Sequence, residues 1–142
     1  MICINDVRLL ELSIHVDERG KLIALESEKE IPFLIKRIFY IFDSDTGLDT
    51  IRGKHANIKS SFVFISVSGS CKIKVYDQSG KTSIFELNSP NQALFVPAMI
   101  WKEMFSFSPN SVLLVLSDEK YDANEYINDY KDYCNKFKEM SK

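Results

Sequence analysis

Three side chains able to do chemistry fall within the run Arg52-Gly-Lys-His-Ala-Asn57. An imidazole such as His55, with a reference pKa of about 6.5, takes or gives a proton near neutral pH. The guanidinium of Arg52 pairs with phosphate oxygens in a two-pronged fork. The carboxamide of Asn57 orients a hydroxyl or a ketone but is no base at neutral pH. Alternate side chains of an extended strand share a face, so His55 and Asn57 point the same way, with Lys59 behind them. Arg52 has the opposite parity, and Gly53 permits a bulge that re-aims it. An apolar run from Phe62 to Val67 follows. A polar cluster that leads into a buried strand suits the inner wall of a β-barrel pocket; it equally suits a polar strand end at the surface.

Other candidates stand further off. The Tyr40 hydroxyl is a hydrogen-bond donor or proton shuttle, or the tip of an interfacial strand tyrosine. Trp101 offers a ring to stack on a base or sugar, or fills the core. Asn57 is also a plain hydrogen-bonding strand residue, and Arg52 a surface ion-pair partner. His15 reads as structural, and Lys54 and Lys59 as solvated side chains that add to the field around a phosphate group.

The elements that must position these residues are mostly strands. Arg8 to Val16 and Leu22 to Leu25 flank a turn at Asp17-Glu-Arg-Gly20, a short hairpin with little core of its own. Leu34 to Phe42 is β-branched and aromatic. A polar loop around Gly47 separates it from the central cluster. Cys71 to Tyr76 alternates, turns at Asp77–Gly80, and returns over Thr82 to Leu87. Ala93 to Val96 and Trp101 to Phe107 follow, and Val112 to Leu116 is apolar throughout, which predicts burial on both faces. The class then changes. Asp122 and Glu125 have capping-box spacing. Tyr126, Tyr130, Tyr133, Cys134 and Phe137 continue at helical spacing, predicting a helix over about 123–140 whose aromatic stripe packs on the sheet. Short strands at regular spacing and one terminal helix predict a mainly β protein, a barrel or sandwich with a C-terminal α-helix.

The 142 residues suit one domain, 1–142. With 45% hydrophobic and 27% charged residues, the chain has an ordinary globular balance. A net charge of −2 gives no footprint for nucleic acid. No apolar run approaches the roughly 20 residues of a membrane span, and the start lacks a signal-peptide pattern, so the expectation is cytoplasmic. Cys3, Cys71 and Cys134 form neither a disulfide framework nor a zinc motif.

Several segments together resemble a known family. Asp17-Glu-Arg-Gly-Lys-Leu-Ile-Ala-Leu-Glu26 and Ile31-Pro-Phe-Leu-Ile-Lys-Arg-Ile-Phe-Tyr40 are similar to the opening of bacterial sugar 3,4-ketoisomerases, cupin-fold enzymes acting on dTDP-4-keto-6-deoxyglucose. Arg52-Gly-Lys-His-Ala-Asn57 resembles their Arg-Gly-x-His-Ala-His signature. Val67-Ser-Gly-Ser-Cys71, Phe95-Val-Pro97 with Trp101, and Tyr121-Asp122 with Tyr126 continue the likeness, which covers about Asp17 to Phe137. Asn57 stands where the family usually carries a second histidine, and Phe62 where it carries a glutamine. Phe39 precedes Tyr40 where the family often has two tyrosines, so the family tyrosine maps to either position.

The resemblance implies a cupin-like, jelly-roll barrel and an isomerase that shifts a carbonyl from C4 to C3 of a dTDP-linked 6-deoxyhexose. It implies His55 as base, Tyr40 as shuttle, and Arg52, Asn57 and Trp101 as substrate contacts, with Arg52 on the diphosphate. It also implies an aminotransferase as consumer of the product and, in part, a homodimer, for which the independent motive is the short hairpin at about 7–26, whose small core suits it to complete a partner's sheet. No cofactor is expected. Metal-binding cupins pair closely spaced histidines with a glutamate and a third histidine; here His55 stands beside Asn57, no acidic residue lies between His55 and Cys71, and the later strand offers Lys102. The rival class is a non-catalytic sugar-nucleotide binding or sensing cupin, in which Asn57 marks lost chemistry.

Overall fold

Alternating apolar and polar residues become strands because each strand can then bury one face. The computed structural model describes residues 2–44 and 50–140, without the side chains of Phe137, Glu139 and Met140. The loop expected around Gly47, and the Phe137 side chain of the aromatic stripe, lie outside the described residues. The strands are β1 (Arg8–Glu11), β2 (His15–Asp17), β3 (Gly20–Leu22), β4 (Arg37–Phe42), β5 (Arg52–Asn57), β6 (Phe62–Ser68), β7 (Cys71–Tyr76), β8 (Thr82–Leu87), β9 (Gln92–Val96), β10 (Trp101–Phe105), β11 (Val112–Ser117) and β12 (Tyr126–Ile127), with one helix, α1 (Tyr130–Met140).

Two five-stranded antiparallel sheets run in the orders β1-β9-β6-β11-β4 and β12-β5-β10-β7-β8. Their inner faces meet in the main core. Phe62, Phe64, Leu94, Val96, Leu113 and Val115 come from the first sheet, and Cys71, Ile73, Val75, Leu87 and Met104 from the second. This is the mainly β architecture the strand pattern predicts, and the cupin-like one the resemblance implies. The outer face of the first sheet is covered by the segment from Leu10 to Ile35, through Leu12, Ile31 and the partly buried Ile23, Leu25, Phe33 and Ile35. The outer face of the second sheet is covered by α1, whose Tyr133 is fully buried against Ala56, Met99, Trp101 and Ile127.

Two expectations change at the ends of the chain. β1 pairs with β9 inside the first sheet, so the free hairpin is only β2–β3, His15 to Leu22. The helix starts at Tyr130 rather than 123. Asp122 accepts from the backbone of Asn124 and caps a single 3₁₀ turn, Ala123–Glu125. The Glu125 carboxylate does not close a capping box; it turns inward to Ser60 and to the backbone of Lys59. Tyr126 and Ile127 then run extended beside β5.

Candidate active site

The site is built on β5 and β10. Directly opposite residues of an antiparallel pair share a face. His55 lies opposite Lys102, and Arg52 opposite Met104, with a register shift between Lys102 and Glu103. The shift is a bulge at Gly53 and Lys54, whose φ values are 83° and 55°. Gly53 is required there, because a Cβ would meet the Lys102 carbonyl oxygen and the Met104 Cε at 2.9 Å each. The bulge carries Arg52 to the inner side of the sheet, where parity alone would have turned it away. Arg52, His55 and Asn57 thus share one face with Lys102.

Tyr126 of β12 lies opposite Asn57 and joins the same face. Its ring sits 4.9 Å from the His55 ring. Arg37, from β4 of the facing sheet, donates from Nη1 to the Tyr126 hydroxyl at 3.0 Å and stacks over Phe39 at 4.4 Å and Tyr121 at 4.9 Å. Both sheets therefore contribute to one polar end of the sandwich.

The deepest part carries charge. Lys102 is only 2% exposed. Its Nζ donates to Asn57 Oδ1 at 3.0 Å and lies 4.5 Å from the centre of the Phe62 ring. Asn57 is fully buried; its Nδ2 faces the Glu125 carboxylate, whose pKa it helps to lower, without a hydrogen bond of normal geometry. Glu125 is buried too; desolvation alone would raise its pKa, but the hydroxyl and backbone N–H of Ser60 outweigh this and hold it below the usual carboxylate value. Desolvation pulls the Lys102 pKa down to about 7, opposed by the Glu125 charge. Desolvation first, and the Lys102 charge second, push the His55 pKa down to about 4, against smaller upward effects from a backbone hydrogen bond to Gly53 and from Glu125. The imidazole expected to titrate near 6.5 is thus held in its neutral, proton-accepting form well below that pH.

Two expected site residues lie elsewhere. Trp101 is on the opposite face of β10, between Tyr130 and Tyr133 of α1 at ring separations of 5.3 and 5.7 Å, with its Nε1 donating to Glu103 at 3.1 Å. It is a core residue under the helix. Tyr40 points outward from β4, 62% exposed beside Ile38 and Phe42. The inward neighbours on that strand are Phe39 and Ile41, which pack on the main core. Phe39 therefore occupies the pocket-facing position, and it has no hydroxyl. Among the described residues, no group of three His, Cys, Asp or Glu comes together to hold a metal ion.

The family model described as "FdtA: WxcM-like, C-terminal" matches residues 5–138. The chain belongs to this family. Sugar 3,4-ketoisomerases are among its relatives. It is 39% identical over 118 residues to TDP-4-oxo-6-deoxy-alpha-D-glucose-3,4-oxoisomerase of Aneurinibacillus thermoaerophilus, covering 83% of each chain. A crystal structure of a 3,4-ketoisomerase from Helicobacter canadensis superposes with a TM-score of 0.88 at 41% identity, over 94% of this chain and 98% of that one. QdtA, a sugar 3,4-ketoisomerase from Thermoanaerobacterium thermosaccharolyticum in complex with TDP, superposes with a TM-score of 0.90 at 36% identity, over 96% and 98%.

In this ketoisomerase-family chain, Arg37, Glu125 and Tyr126 were not apparent as site residues from the sequence, and Lys102 stood there only as the absence of a histidine. A signal for Lys102 was present. Trp101, Glu103 and Phe105 occupy one face of β10, which leaves a lysine at the inward parity next to Met104. Arg37 has the parity of Phe39 and was open to the same reading. Glu125 and Tyr126 were hidden by the helical reading of their segment.

Proposed function

We propose that this chain converts dTDP-4-keto-6-deoxyglucose into a dTDP-3-keto-6-deoxyhexose by metal-free proton transfer, with His55 as the base. The observation that carries this reading is the bulge at Gly53 and Lys54. It brings the neutral imidazole and the Arg52 guanidinium to one face of the second sheet. The names of the relatives, which give a TDP-4-oxo-6-deoxyglucose substrate and a TDP complex, supply the substrate class.

The chemistry follows from the donor set. His55 takes the C3 proton, which is acidic because it lies beside the C4 ketone, and the electrons move onto the C4 oxygen as an enediolate. A proton returns at C4, and the C3 hydroxyl gives up its proton while the C4 oxygen takes one, leaving the ketone at C3 and a hydroxyl at C4. Hydroxyl protons need a relay. Tyr126 takes the place expected of Tyr40: its ring adjoins His55, and Arg37 holds its hydroxyl as an acceptor, leaving the phenolic proton free to donate. Positive groups along the pocket, Arg37 and Arg52 among them, favour both the diphosphate and the developing oxyanion. Asn57 acts through Lys102 rather than on the sugar, since its Oδ1 is already engaged.

The same reading includes a homodimer acting in the cytoplasm on a nucleotide sugar, with neither nucleic acid nor membrane as partner. In favour of the dimer stand Ile38, Tyr40 and Phe42, exposed in a row on the outer face of β4, with Val16 and Leu22 exposed on the hairpin. The test of the activity is incubation with dTDP-4-keto-6-deoxyglucose in deuterated buffer, followed by NMR. A 3-keto product, with deuterium at C4 and turnover unaffected by a chelator, is expected. Nucleotide binding without product or exchange would leave a non-catalytic binding cupin instead.

A further inference from the structure

The reaction as written uses one base, yet the most heavily buried charge beside that base has no part in it. Lys102 sits directly across the strand pair from His55, and a register shift one residue away fixes the two in opposition. It has almost no solvent. Burying an isolated ammonium is costly, and proteins keep one only where something holds or uses it. Here the holding is slight: one hydrogen bond to a neutral carboxamide and one aromatic face. No carboxylate forms an ion pair with it among the described residues; Glu125 acts on it through its field and through Asn57, which lies between them, while Ser60 and the Lys59 backbone take its oxygens.

We propose that Lys102 is the positioning residue of the base: its buried ammonium, held by Asn57 and facing His55, keeps the imidazole unprotonated so that it accepts the substrate proton over the whole neutral and mildly acidic range. This rests on the reading of His55 as the base.

The surrounding groups are consistent with that role. The charged and titratable groups facing the pair are Glu125 from the 3₁₀ turn, Tyr126 on β12, Arg37 on β4 and Arg52 on β5. β6 and β7 present Phe62 and Val75, which are apolar. Among these, the Lys102 charge is the one that opposes protonation of His55, and the Glu125 charge favours it. With Lys102 titrating at about 7 and His55 at about 4, the pair holds a single proton between those values, and that proton sits on Lys102. Asn57 fits this arrangement where a second imidazole does not. A carboxamide oxygen accepts from the ammonium without ever competing for its proton.

The sign of the effect is definite. Folding lowers the His55 pKa, so the activity carried by the neutral imidazole persists as pH falls below 6.5 and is lost only near 4. Removing the Lys102 charge must move that limb upward, part of the way to 6.5, because burial remains. The experiment has two arms. In the first, the His55 ring signals of the wild-type protein are followed by NMR from about pH 3 to 9, with His15→Gln to assign them. This arm needs no substrate. The expected curve has its main step near 4 and a smaller inflection near 7, where Lys102 loses its proton. A single step near 6.5, or no inflection near 7, overturns the proposal. In the second arm, kcat/KM is measured against pH for Lys102→Met and Lys102→Arg. At pH 5, Lys102→Met is expected to fall severalfold below its own plateau while wild type and Lys102→Arg stay close to theirs. A limb unmoved in Lys102→Met would make Lys102 a structural lysine and overturn the proposal. If Lys102→Met does not fold, the wild-type curve still decides. Absence of turnover in every variant and in wild type would instead defeat the isomerase reading, leaving the titration to stand or fall by itself.

Discussion

The two faces of the β5–β10 strand pair are made from alternate residues of the same two strands, and they are built to opposite standards. On the outer face, Trp101 and Ala56 lie under α1, and the polar atoms are well matched. The Trp101 indole donates to Glu103, and the Tyr133 hydroxyl lies 2.8 Å from the Met99 carbonyl and 3.0 Å from that of Tyr76. On the inner face, one residue along each strand, a lysine is buried with one hydrogen-bond partner, and an asparagine Nδ2 meets the Glu125 carboxylate without a hydrogen bond of normal geometry. A histidine there is held far from its ordinary pKa. A fold selected for stability alone would fill the inner positions with apolar side chains, as it does at Ile73 and Val75 on the next strand. The mismatch between the faces marks where free energy has been spent on chemistry.

The comparison breaks first at His55. Replacing it with Asn keeps a polar side chain of smaller size at a position that packs little core. The fold should persist, with thermal unfolding close to wild type, while turnover of dTDP-4-keto-6-deoxyglucose falls by roughly 10²–10⁴-fold, the usual cost of losing a general base. Nucleotide affinity, read by calorimetry with TDP, should change little. Full activity would move the base to another residue.

The outer face should respond in the opposite sense. Trp101→Phe removes the hydrogen bond to Glu103 and leaves space under α1. A loss of about 1–2 kcal/mol in stability is expected, measured by urea unfolding, with kcat and KM of the folded enzyme unchanged. A rise in KM at constant stability would return Trp101 to the pocket and erase the distinction between the faces.

How far these placements were legible depends on whether the two faces of a strand differ in chemistry. In β7, apolar Cys71, Ile73 and Val75 alternate with Lys72, Lys74 and Tyr76, and the buried face could be read directly. The bulge at Gly53 was legible as well, since glycine in a polar strand is a standing invitation to one. In β4 the alternation fails as a guide, because Phe39 and Ile41 on one side are matched by Ile38, Tyr40 and Phe42 on the other. Only the pairing with β11, which aligns Phe39 with Val115 and Tyr40 with Leu114, decides which set enters the core. Trp101 posed the same difficulty, with an apolar core on both sides of its sheet. The turn at Ala123–Glu125 was misread for another reason: capping-box spacing describes what Glu125 can do locally, and a buried partner at Ser60 offered it more.

Tyr40 gives the smallest expected effect and the finest division. Its hydroxyl stands on the outer face of an edge strand, across the first sheet from the pocket, so Tyr40→Phe should leave kcat/KM within about twofold and stability within about 0.5 kcal/mol. A large loss of activity would require the hydroxyl to reach a reacting sugar, and from that face it could reach only a site in a second copy of the chain. Sedimentation over a range of concentrations separates the possibilities. If Tyr40→Phe is silent and the protein sediments as a dimer, the row of Ile38, Tyr40 and Phe42 serves association alone. If the variant is inactive and dissociated, the site depends on the partner for its order. An inactive variant that remains a dimer would make Tyr40 itself part of the chemistry, and the inner face of β5–β10 would then be an incomplete description of the site.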